Sequence, residues 1–176
     1  MSFKQVVSKR EIHCIDMLLS VFGVVEAEQM RRLFGHLSDA QYGSIMSRMR
    51  RDGAYCTSSD ALLLSQNSYT LKTTEPAERI PAFEAFITLK DRMSDFCAGD
   101  APAVATIVSK DSDYDLIPVM PYNIEQINDN LEHVSEKTKR LLVVSDLELV
   151  GLLQRRYKND YVFYVSPDKN VEMYEL

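Results

Sequence analysis

The stretch Ser38–Gly53, SDAQYGSIMSRMRRDG, constrains the chain most, because it reads as one amphipathic helix with both ends marked. Ser38 offers a hydroxyl that accepts from the free amides of a first turn, and Asp39 sets a negative charge at the positive end of the helix dipole. Tyr42, Ile45, Met46 and Met49 recur at i, i+3, i+4 and i+7, which places them on one buried stripe. Gln41, Ser44, Ser47, Arg48 and Arg51 fall on the opposite side, with Arg50 on its flank. Gly53 suits a C-terminal cap, and the arginines before it suit the negative end of the dipole. A polar, increasingly basic outer face is the pattern of a helix that reads DNA, and also of an ordinary solvated helix.

The flanking segments narrow that choice. Lys9–Phe22 is a helical run with Ile12, Ile15, Leu18, Leu19 and Phe22 on one side, ended by Gly23. Glu26 or Ala27 starts a short second helix, EAEQMRRLF, stopped at Gly35. Three short helices joined by tight turns fit a helix-turn-helix core. After Gly53, Ala54–Thr57 and Leu62–Ser65 are β-like runs joined by Ser58–Ala61, and the polar run Tyr69–Leu71 is a candidate third strand of the ribbon. Three helices and a hairpin predict a winged helix over residues 8–72. Its third helix nominates Gln41, Ser44, Ser47, Arg48, Arg50 and Arg51 as DNA contacts, and Arg31 and Arg32 of the second helix are weaker candidates for phosphates. The turn Ser58-Ser59-Asp60 carries no basic residue, unlike wings that grip a groove.

The run Phe22–Met30, FGVVEAEQM, followed by Leu33-Phe34, resembles the start of a family of small bacterial winged-helix proteins. Members are commonly encoded near conjugative or plasmid-borne elements and are distantly similar to plasmid replication–relaxation proteins. Arg140–Val144, RLLVV, and Val165–Asp168 with Tyr174 are similar to that family's closing segment. The shared motifs are hydrophobic patterns, so the resemblance implies DNA-associated work on a mobile element and assigns no catalytic residue.

The 176 residues are 45% apolar and 26% charged, the balance of a globular chain. No apolar run approaches the roughly 18 residues of a membrane span, and MSFKQVVSKREIHCID lacks a signal-peptide core, so a cytoplasmic protein is expected. Cys14, Cys56 and Cys97 stand far apart, as do His13, His36 and His133, which argues against a zinc site or a disulfide framework. Net charge is −6, unevenly spread: residues 1–72 hold nine Lys/Arg against seven Asp/Glu, a balance of +2 that leaves −8 for the remainder. The mildly basic half is the one expected to meet nucleic acid.

Thr73-Thr74-Glu75-Pro76 reads as a linker, giving expected domains at 1–75 and 80–176. A helix is predicted from Pro81 through Phe96, with Phe83, Phe86, Ile87, Leu89, Met93 and Phe96 on its apolar face. Val104–Val108 and Tyr114–Val119 predict a hairpin. A helix entered through Asn123 carries Ile124, Ile127, Leu131 and Val134, and Arg140–Ser145 suits a strand covered on both faces. Asp146–Tyr157 reads as a helix capped by Ser145 or Asp146, and Tyr161–Val165 and Val171–Tyr174 as strands. The order predicts a small α/β domain with a mixed sheet, for dimerisation or partner binding.

Catalytic signatures are missing. A restriction-endonuclease-like site needs an Asp on one strand and [DE]-x-K on the next; Asp113 or Asp115 could supply the first, but no [DE]-x-K occurs in the chain. A degenerate, non-catalytic relative of that fold stays open. Asp111, Asp113 and Asp115 alternate without the Gly and Glu of a calcium loop, and no phosphate-cradling glycine motif or GxSxG elbow is present. The reading is an α+β protein, a winged helix followed by an α/β domain. It is expected to bind double-stranded DNA as a homodimer, without cofactor, membrane attachment or catalysis. A protein-interaction adaptor is the alternative, and an enzyme with an unrecognised site the third.

Overall fold

Two helices of the first seventy-odd residues end at a glycine of positive φ, which only a residue without a side chain adopts freely. A computed structural model describes residues 3–130, 138–153 and 161–175. Contacts divide the chain into two compact units, Met1–Pro76 and Ala77–Leu176. The first helix, α1, runs Phe3–Phe22, earlier in its start than the periodicity from Lys9 implies. Ile15, Leu18, Leu19 and Phe22 form its buried stripe, with Ile12 half-buried. Gly23 then turns the chain at φ +73°, its N–H donating to the Leu19 carbonyl at 3.0 Å. β1 (Val24–Glu26) follows, then α2 (Ala27–Leu33) and α3 (Asp39–Arg51). The Ser38 cap of α3 is reciprocal: Gln41 N–H donates to Ser38 Oγ at 3.3 Å, and Ser38 N–H donates to Gln41 Oε1 at 3.0 Å. Gly53 leaves the helix at φ +69°.

β2 (Cys56–Thr57) and β3 (Leu63–Ser65) pair antiparallel, and β1 takes the other side of β3, giving the order β1-β3-β2. The ribbon's third strand is therefore Val24–Glu26. The candidate Tyr69–Leu71 is instead inside a helix, α4 (Ser68–Thr73), whose cap Asn67 accepts from Thr70 N–H at 2.8 Å. Two adjacent β-branched valines, buried against β3, make the better edge.

Only Thr74-Glu75 separates α4 from α5, which spans Pro76–Leu89 and so starts ahead of Pro81, with that proline inside it. α5 also stops short of Phe96. The charged turn Lys90–Arg92 breaks it, and Phe96 lies in β4 (Asp95–Ala98). The aromatic cluster survives across the break, because Phe96 packs edge-on against Phe86 with centroids 5.1 Å apart.

β4, β5 (Ala105–Val108), β6 (Asp113–Pro118), β7 (Thr138–Val144), β8 (Tyr161–Val165) and β9 (Val171–Glu175) form a mixed six-stranded sheet in chain order. The β6–β7 and β7–β8 pairs are parallel and the others antiparallel. α6 (Ile124–Asn130) lies between β6 and β7; Leu131 and Val134 of the expected helix are outside the described residues. The run after Asp146 is a 3-10 helix, Leu147–Leu152, rather than an α-helix, with Asp146 Oδ1 accepting from Glu148 N–H at 2.9 Å; residues 154–157 lie outside the described residues. Ile124, Ile127, Leu149 and Leu153 pack on one sheet face over Ile117, Leu142 and Val162, while α5 meets the other through Phe86. The molecule is thus a mixed α+β protein, helical at its N-terminal part with a six-stranded mixed sheet after it.

Candidate nucleic-acid interface

α3 buries Ile45 and Met49, half-buries Tyr42 and Met46, and leaves Gln41, Ser44, Ser47, Arg48 and Arg51 exposed along the opposite side. The helical period brings those five together on one face. Arg48 Nε lies 3.8 Å from Asp52 Oδ2, one turn on, in an exposed pair of little energetic weight. Arg50 is also exposed but belongs to the flank, beside Tyr55, whose hydroxyl pKa is raised by burial and partly brought back down by the Arg50 charge. Three arginines in the last turn complement the negative end of the helix dipole.

The α2 candidates differ from these and from each other. Arg32 is exposed. Arg31 is half-buried, its guanidinium donating to Asp39 Oδ1 and to the carbonyls of Phe34 and Leu37, with its Cζ over the Tyr42 ring, 5.2 Å from the centroid. Asp39 thus belongs to the site's supporting structure although an acid following a cap by one residue reads as dipole chemistry alone, and Tyr42, which periodicity places on the buried stripe, also lies beneath the Arg31 cation. Gln41 has a divided role: Oε1 accepts from both the amide and the hydroxyl of Ser38, so outward hydrogen bonding falls to Nε2.

The β2–β3 turn is organised by its own side chains. Asp60 Oδ1 accepts from Ser58 Oγ and, at 3.1 Å, from Leu62 N–H, and these bonds hold the carboxyl below its usual range. Ala61 takes φ +60°, and Leu62 is 63% exposed at the tip. This loop offers an anion and an apolar side chain where a phosphate-gripping wing has cations.

In the second unit, Asp113 is exposed at the start of β6 and Asp115 accepts from Thr106 Oγ1 at 2.6 Å. Their register partners on β7 are Thr138 and Arg140, so the neighbouring strand sets no carboxylate opposite either. Among the described residues no three His, Cys, Asp or Glu side chains gather as a metal site, and no helix is long and apolar enough to cross a membrane. A cleft of about 350 Å³ lies between the end of α5 and the sheet, walled by Leu89, Met93, Tyr114, Tyr161 and Phe163, with Arg92 and Asp111 on its lining. No family model, curated protein or solved structure gives a significant match to the chain.

Proposed function

We propose that the chain is a non-catalytic, DNA-binding accessory or regulatory protein of a bacterial mobile element, built on a winged helix. The observation that carries the reading is the order α1-β1-α2-α3-β2-β3 closed by the sheet β1-β3-β2, with the Gln41–Arg51 face of α3 turned to solvent. In winged helices this helix enters the major groove. Gln41 and Ser44, early on the helix, address base edges. Arg48 and Arg51 address phosphates or guanine edges, with Arg50 at the flank and Ser47 between them. The mobile-element setting comes from the resemblance of FGVVEAEQM and RLLVV. The second unit serves dimerisation or partner binding. Its run α5-β4-β5-β6-α6-β7 is compatible with a degenerate restriction-endonuclease-like scaffold that lacks the [DE]-x-K half of the site.

The test is a duplex-binding titration over a salt series. Wild-type affinity falls steeply with salt, and replacing Arg48 and Arg51 together by alanine lowers the slope of log K against log salt by about two, one per lost phosphate contact. Wild-type protein without salt-dependent affinity for any duplex would end the DNA reading. The adaptor reading, in which this unit binds protein, would then stand; the anionic, Leu62-tipped β2–β3 turn favours it.

A further inference from the structure

We infer that Arg31 is a positioning residue that sets the pose of α3, and not itself a DNA contact. The functional half of this inference rests on the DNA reading above; the structural half rests on geometry alone. All three guanidinium nitrogens are committed within the protein. Nη1 donates to the Phe34 carbonyl at 3.0 Å, Nη2 to the Leu37 carbonyl at 3.0 Å and to Asp39 Oδ1 at 2.8 Å, and Nε to the same carboxylate oxygen at 3.2 Å. Phe34 caps the end of α2, Leu37 precedes the cap of α3, and Asp39 is the first residue of α3. The cation also lies over Tyr42, one turn further along. One side chain therefore ties the end of α2, the connecting turn and the first turn of α3.

The chemistry suits arginine alone. A planar fork of five donors can serve two carbonyls and a carboxylate while its face stacks on a ring, whereas lysine offers a point charge with no plane. Swinging Arg31 out to a phosphate strips the Leu37 and Phe34 carbonyls and the Asp39 carboxylate of this donor and uncovers Tyr42.

Asp39 supplies a test of sign. On charge alone, removing a carboxylate from the front of a DNA-facing helix strengthens binding, and it also releases Arg31 to the phosphates. If the pair holds α3 in place, the same change weakens binding.

The experiment uses the full chain. Wild type, Arg31→Ala, Arg31→Lys and Asp39→Asn are titrated with one duplex over a salt series, and amide NMR spectra of each are recorded without DNA. Arg31→Ala and Asp39→Asn are expected to weaken binding about tenfold with the salt slope unchanged, because no phosphate contact is lost. Both shift the amides of Leu37–Tyr42, and Arg31→Lys fails to restore the wild-type pattern. A slope lower by about one in Arg31→Ala, or tighter binding by Asp39→Asn, overturns the positioning role. Unperturbed Leu37–Tyr42 amides in Arg31→Ala overturn it as well. If no duplex binds wild type, the DNA reading fails by itself, and the spectra still decide whether Arg31 holds the turn.

Discussion

At the scale of single residues, the α2–α3 turn gathers a cation, a carboxylate and a ring around two backbone carbonyls, and Tyr42 registers it. Burial, then the neighbouring Tyr55, pushes the Tyr42 hydroxyl pKa up to about 12, with the Arg31 charge pulling the other way. The unfolded chain ionises this tyrosine first, near the ordinary value of about 10. Stability from Tyr42 is therefore complete below pH about 10 and is lost as pH rises through about 12, since above the lower value the unfolded state binds fewer protons. Thermal unfolding followed across that window should show a falling alkaline limb that Tyr42→Phe makes shallower. Superimposable alkaline limbs for the two proteins would show that Tyr42 does not titrate this way. Arg31 is the residue whose role was hidden in the sequence: its carboxylate partner lies eight positions on, across a turn, where helical periodicity makes no prediction.

Among elements, β3 holds the first unit's sheet, with β1 on one side and β2 on the other. Leu64, at its centre, is 3% exposed, whereas Leu62 just ahead of the strand is 63% exposed. Leu64→Ala should cost about 2–4 kcal/mol, as expected for a buried leucine, and Leu62→Ala no more than about 0.5. Denaturant melts of the two variants compare them directly, and equal losses would show that β3 does not anchor the unit. The same elements show what is legible in a sequence. α3 was readable from end to end because its cap, stripe and stop are all local, and Ser38, Ile45, Met49 and Gly53 occupy the places their chemistry implies. β1 was not, because three residues carry no period and their partner is about forty residues away. Tyr69–Leu71 misled for a related reason: a short polar run has no strand identity of its own, and Asn67 caps it as a helix. Aromatic spacing alone puts Phe96 on the helix of Phe83 and Phe86, because it cannot register the break at Lys90–Arg92.

For the whole molecule, the division of charge is matched by a division of architecture: a mildly basic helical unit precedes an acidic sheet. β4 and β9 are the two edges of that sheet, and Met173 and Tyr174 on β9 are exposed. We expect the chain to pair into a twofold dimer, which gives a small basic face two half-sites on DNA. Light scattering at tens of micromolar should return twice the chain mass; a monomer there removes the palindromic arrangement. The two sheets also differ in how they can be assembled in time. Every strand from β4 to β9 lies beside its neighbour in the chain, so that sheet can zip up by successive short closures. β1, made early, must wait for Ser65, so a nascent chain halted before β3 has its three helices' sequence in hand and nothing to pair Val24–Glu26 against. The emergence of Leu63–Ser65 from the ribosome thus decides when the first unit's sheet can close.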